Sequence, residues 1–166
     1  MTAHHIHLVA VHIPVVLTPL ALVLLSLAAM RSRGTPTATA QSSAGTLNAT
    51  GRWLILFSAV VGGVAYFTGP IAFESLESEF EAVRDLVELH AVIGRGAFFG
   101  LILLAVPALQ AILREVQEEP PLRWLNVTVI VGAALLSYLL VWTGHLGGAI
   151  RRPEIANALG WLFPSF

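Results

Sequence analysis

Cysteine is absent from this 166-residue chain, and charged residues make up only 11% of it. The absence of cysteine excludes disulfides, iron–sulfur clusters, thiolate metal ligands and covalent attachment of a c-type haem. Charged residues are few, 56% of the residues are hydrophobic and the mean hydropathy is +0.79. Together these values exclude an ordinary soluble domain. Since the chain has only two methionines, any metal ion must be held by histidine, carboxylate or backbone groups.

Four apolar segments are long enough to cross the ~30 Å hydrocarbon layer of a membrane as helices. They run from about residue 6 to 30, 53 to 71, 86 to 113 and 124 to 146. The first link, 31–52, is rich in small polar residues and predicts a flexible connector. The second link, 73–88, repeats apolar residues at helical spacing among acidic ones and predicts an amphipathic surface helix or an amino-terminal extension of the third span. We therefore expect a single all-α membrane domain, a transmembrane four-helix bundle of up-and-down topology that contacts the lipid bilayer.

Histidines are the most informative residues of the chain. There are six of them: His4, His5, His7, His12, His90 and His145. With four alternating spans, the start of the first, the start of the third and the end of the fourth lie at the same membrane face. Ligating or ionisable side chains inside spans are costly and usually mark function. Their accumulation at one face predicts a metal or haem site.

Two pairs of axial ligands follow from the expected topology, each for a non-covalent haem b. His12 and His90 start on spans that lie diagonally across the bundle, so their rings can approach a flat macrocycle from opposite sides. His7 and His145 are shallower and could hold a second haem. His7 and His12 differ by about 140° around the helix, so both cannot ligate one haem axially.

Other roles for the same histidines stay open. His12 and His90 could simply hydrogen-bond to neighbouring carbonyls, and His7 and His145 could bind quinol, accept protons or lie at the interface. His12, His90 and His145 together could instead hold a non-haem metal ion. That site would belong to a metal-dependent membrane enzyme or a metal transporter.

Residues near His90 and at the end of the fourth span suit a cofactor as well. Gly94 follows His90 on the same helical face and lets a ring or another helix pack closely. Arg95 and Arg151 could pair with haem propionates, because guanidinium groups bind carboxylates bidentately.

The distribution of arginine between the two ends of the bundle predicts the orientation of the protein in the membrane. The face opposite the histidines carries more arginine near the span ends, and such an excess marks the cytoplasmic side. We expect an integral protein of the bacterial inner membrane, with the histidine face and both termini in the periplasm.

A known family shares several of these motifs. The run His7-Leu-Val-Ala-Val-His12-Ile-Pro14 resembles the His-Pro-x-x-Val-His-Phe-Pro opening of a bacterial family of four-span membrane proteins of unknown function. Some members are fused to Rieske iron–sulfur domains. His90 and the segment Gly144-His145-Leu-Gly147-Gly148 look like further landmarks of that family. The resemblance implies a redox-associated membrane module, similar to small b-type cytochromes that anchor periplasmic oxidoreductases.

Together these features predict a b-type cytochrome subunit of a larger membrane redox complex. It would pass electrons between a quinone pool and a partner redox protein through bis-histidine haem, one or two per chain, while catalysis resides in the partner. A cofactor-free structural anchor is the remaining alternative. No phosphate loop, nucleophile triad or basic nucleic-acid-binding stripe is present in the sequence.

Overall fold

The structure is a computed structural model that describes residues 2–32, 38–74, 83–120 and 122–152. Long helices make up nearly all of these residues. In this part of the chain they are α1 (Ala3–Arg31), α2 (Ala38–Glu74), α3 (Arg84–Val116) and α4 (Arg123–Arg151). Each helix is long and apolar enough to cross a membrane. The predicted all-α fold with four spans is therefore confirmed, and the chain has the character of an integral membrane protein.

The helices form a ring in which each packs against two others. α1 packs against α2 and α4, and α3 packs against the same two helices. α1 and α3 thus lie on one diagonal of the bundle, as predicted. Neighbours run antiparallel: the start of α1 meets the end of α2 at His7 and Gly69, and the end of α1 meets the start of the α2 span at Leu25 and Gly51.

Small residues set the distance between the helices. A Cβ atom on Gly51 would lie 2.7 Å from Cγ of Leu25 and 3.2 Å from the carbonyl oxygen of Ala21, too close for any side chain. Leu25 is itself 1% exposed. Such close backbone approach is the usual packing mode in membranes, where apolar side chains gain little by leaving lipid for protein.

The first link differs from its predicted form. The flexible connector expected over 31–52 is wrong from Ala38 onward, because α2 begins there. Ala44, Gly51 and Arg52 are buried, so the segment packs against the bundle. Tertiary contact of this kind stabilises a helix that composition alone does not favour.

Most of the amphipathic helix expected over 73–88 lies outside the described residues; α2 ends at Glu74 and α3 begins at Arg84.

The bundle contains an internal repeat of two helical hairpins, α1–α2 and α3–α4. Five buried positions of α1 follow His7 at the same intervals as five buried positions of α3 follow His90. The pairs are Pro14 and Ala97, Thr18 and Leu101, Ala21 and Leu104, Leu25 and Ala108, and Ala28 and Ala111. Five buried positions of α2 likewise match buried positions of α4. The pairs are Gly51 and Val129, Ile55 and Ala133, Ser58 and Leu136, Ala59 and Ser137, and Gly62 and Leu140. The two hairpins therefore bury the same faces.

Candidate functional site

His7 is held against α2 by two polar contacts. Its Nδ1 atom lies 3.0 Å from the carbonyl oxygen of Ala65 and 3.3 Å from Oγ1 of Thr68. Because a carbonyl oxygen only accepts, Nδ1 is the protonated nitrogen in the neutral ring, and Nε2 keeps its lone pair. The ring lies against Gly69, where a Cβ atom would be 3.1 Å from Cε1 of His7.

His90 repeats this arrangement in the second hairpin. Its Nδ1 atom donates to the carbonyl oxygen of Thr143 at 3.0 Å. The ring lies against Gly147, whose Cβ atom would be 3.3 Å from Cε1 of His90. In both hairpins the glycine lies one helical turn after the residue that accepts the hydrogen bond.

The two histidines therefore form an equivalent pair. Both lie near the start of a helix on the same diagonal of the bundle, both are half-buried, and both donate Nδ1–H to the next helix in the chain. Two imidazoles of one tautomer, each with a free Nε2 lone pair, can accept hydrogen bonds or ligate a metal ion.

His12 lies elsewhere. It is two residues from each of the buried Ala10 and Pro14, which places it on the opposite side of α1, and its side chain is exposed. Its Nδ1 atom donates to the carbonyl oxygen of Leu8 within the same helix. The structure thus does not bring His12 and His90 together as predicted. His7, by contrast, packs against α2 and is half-buried.

His145 is half-buried on α4, two residues from each of Thr143 and Gly147. Those two residues face His90, so His145 is on the side of α4 turned away from it. His7 makes its hydrogen-bond contacts with Ala65 and Thr68 of α2. The ligand roles assigned to His12 and His145 from the sequence stay predictions.

The remaining predicted residues frame this end of the bundle. Arg151 donates from Nη2 to Nε2 of His4 at 2.9 Å, which ties the end of α4 to the start of α1. Arg95 is exposed on α3. A Cβ atom on Gly94 would lie 3.5 Å from Cγ2 of Thr143, an ordinary contact, so Gly94 lets α3 pack against α4.

Sequence reasoning missed the groups that orient both rings. Ala65 and Thr143 act through backbone carbonyls, which leave no signal in residue type. Gly69 and Gly147 were visible as small residues near span ends, yet only the helix pairing shows which ring each one faces.

A buried polar cluster at the opposite end was also missed. Arg52 is 5% exposed and donates to Oε2 of Glu115 and to Oδ1 of Asn126, both at 2.8 Å. It thereby links α2, α3 and α4 near the other membrane face.

Within the residues that the structure describes, no three histidine or carboxylate side chains come together to hold a metal ion. Comparison with family models, curated proteins and solved structures gave no match. Membership of the four-span family therefore stays a prediction from its motifs.

Proposed function

We propose that this integral membrane protein is a b-type cytochrome subunit in which His7 and His90 would hold a haem b. The equivalence of these two residues carries the proposal. An internal repeat places one imidazole from each hairpin on the same diagonal, at the same distance from the buried stripe of its helix. One imidazole from each hairpin would supply the two protein ligands of a bis-histidine haem.

The chemistry of the donor set fits a porphyrin iron. A ligating histidine usually donates its second ring N–H to a carbonyl or carboxylate, which fixes the ring and raises its basicity. His7 and His90 do this through Nδ1, to the carbonyls of Ala65 and Thr143. Each Nε2 is thereby kept unprotonated, as a ligand must be.

The other residues of the site would position this pair. Gly69 and Gly147 give the imidazoles space against the neighbouring helices. The two backbone carbonyls hold the Nδ1 protons, and the surrounding apolar spans provide a low dielectric constant. A bound haem would supply one-electron transfer, and the protein would tune its potential through these ligands and their hydrogen bonds. Arg95 and Arg151 remain the proposed partners of the propionates.

In a cell, this activity requires redox partners. We propose a quinone pool as one of them and another subunit of the same membrane complex as the other. The histidine end would lie on the periplasmic side of a bacterial inner membrane.

A reduced-minus-oxidised spectrum of the detergent-solubilised chain, loaded with haem b and quantified as the pyridine haemochrome, tests the ligands. We expect a b-type spectrum that is lost in His7→Ala and in His90→Ala but kept in the matched control His12→Ala. If the wild-type protein bound no haem, the proposal that this chain is a cytochrome would be refuted. Loss in His12→Ala with retention in His7→Ala would refute the assigned pair.

The same hydrogen bonds favour a second candidate, a structural anchor without a cofactor. His7 and His90 already satisfy their Nδ1 protons on neighbouring helices, which pins each hairpin at its end. In that case His7→Ala and His90→Ala would lower the stability of the bundle, and wild-type protein would bind no haem.

A further inference from the structure

Two hydroxyl groups in the middle of the first hairpin have no hydrogen-bond partner among the described residues. Thr18 on α1 and Ser58 on α2 are both 0% exposed, and neither Oγ1 of Thr18 nor Oγ of Ser58 is paired. Hydroxyls in apolar helices normally donate to the carbonyl one turn earlier. Ser137 and Thr143 do so in α4, to Ala133 at 2.6 Å and to Leu139 at 2.8 Å.

The two unpaired hydroxyls lie at the same level of the bundle. α1 and α2 are antiparallel and meet at Leu25 and Gly51. Thr18 lies two helical turns before Leu25, and Ser58 lies two helical turns after Gly51, so both are equally far from that contact. Both also face the buried interior.

A third polar group belongs to the same region. Pro19 has no N–H and cannot donate to the carbonyl of Val15, which lies one turn earlier and beside Thr18. In membrane helices, carbonyls released by proline are satisfied by hydroxyl side chains or ordered water.

We propose that a water molecule is bound inside the bundle between α1 and α2, held by the hydroxyls of Thr18 and Ser58 and by the carbonyl of Val15. Buried waters typically make about three hydrogen bonds, to groups that would otherwise be unsatisfied. An unpaired hydroxyl in an apolar interior is costly, so a shared water stabilises both groups at once.

The internal repeat shows that packing does not require these hydroxyls. The positions equivalent to Thr18 and Ser58 in the second hairpin are Leu101 and Leu136, both buried. The equivalent positions are therefore occupied by leucine in the second hairpin and by two unpaired hydroxyl side chains in the first. The hydration site is confined to the first hairpin and is independent of any cofactor.

Water-edited solid-state NMR of the full chain in lipid bilayers tests the site directly. We expect early magnetisation transfer from water to the side chains of Thr18 and Ser58. Ser137 is the matched control, since its buried hydroxyl is satisfied within its own helix and should receive transfer late. Equal, late transfer at all three residues would refute the bound water.

Unfolding midpoints in a mixed detergent titration give a second test. A shared water predicts that Thr18→Val and Ser58→Ala each lower the midpoint, and that the double variant loses less than the two single shifts combined. Ser137→Ala should show no such coupling to Thr18→Val. A dry interior predicts the reverse: each single variant would keep or raise the midpoint and the shifts would add.

Discussion

Replacing Gly147 by alanine tests how tightly the His90 ring is held, whether or not a cofactor binds. The new Cβ atom would lie 3.3 Å from Cε1 and 3.6 Å from Nδ1 of His90. The first distance is shorter than an ordinary carbon–carbon contact, so the ring must move by a few tenths of an ångström. The ring is not free to do so without cost, because its Nδ1 atom donates to Thr143 at 3.0 Å.

The magnitude follows from two opposing effects. Alanine in place of glycine stabilises a helix interior by about 1 kcal/mol. Mild overpacking, together with a weakened hydrogen bond, costs about 1–2 kcal/mol at this site. Gly148 is the matched control, because a Cβ atom there has no neighbour within 4 Å. We expect Gly148→Ala to be neutral or stabilising, and Gly147→Ala to be about 1–2 kcal/mol less stable than that control.

Detergent-induced unfolding followed by circular dichroism measures the stability difference. Nitrogen-15 NMR of labelled histidine adds a reading at the ring itself, since the Nδ1–H signal of His90 should shift in Gly147→Ala and stay in place in Gly148→Ala. Two variants of equal stability with the same His90 signal would refute the packing of the ring on Gly147.

Two further predictions concern the rest of the bundle and use the same unfolding assay. Gly51→Ala should lower the free energy of unfolding by about 1–3 kcal/mol, because its Cβ atom would overlap the buried Leu25. In the control Gly45→Ala the new Cβ atom meets nothing within 4 Å, so stability should not fall. Equal effects of the two substitutions would contradict the close crossing of α1 and α2. Arg52→Gln should cost about 2–3 kcal/mol through loss of its charge-assisted hydrogen bonds to two helices. Arg84→Gln, in an exposed ion pair, should cost about 0.5 kcal/mol or less; a similar loss in both variants would show that Arg52 does not link the helices.

The fold was predictable because span length and hydropathy report directly on the membrane. Four apolar runs separated by polar links predict four crossings, and four crossings place His7, His12, His90 and His145 at one face. The start of α2 was not predictable in the same way. Thr, Ser and Gly disfavour a helix on their own, and only burial of Ala44 and Gly51 in the bundle extends the helix back to Ala38.

Which histidine of α1 faces the bundle was harder to predict, because depth in the membrane says nothing about direction around a helix. α1 is apolar on nearly all sides, so hydropathy does not distinguish its inner face from its lipid face. The signal that does so is residue size, since small side chains mark helix contacts in membranes. Ala10, Pro14, Thr18, Ala21 and Ala28 recur at helical spacing, and the stripe they form continues back to His7, not to His12.

The internal repeat connects the site with the rest of the bundle. At His7 and His90 the two hairpins give the imidazole rings the same kind of carbonyl and glycine contacts. A hydration site needs no such equivalence, and the repeat is broken where it is proposed, with hydroxyls at Thr18 and Ser58 and leucines at their counterparts. Symmetry is thus kept at the histidine end and lost in the middle of the bundle. Because the proposed hydration site and the histidine pair are independent, loss of the Thr18 hydroxyl should leave the Nδ1–H signals of both histidines unchanged.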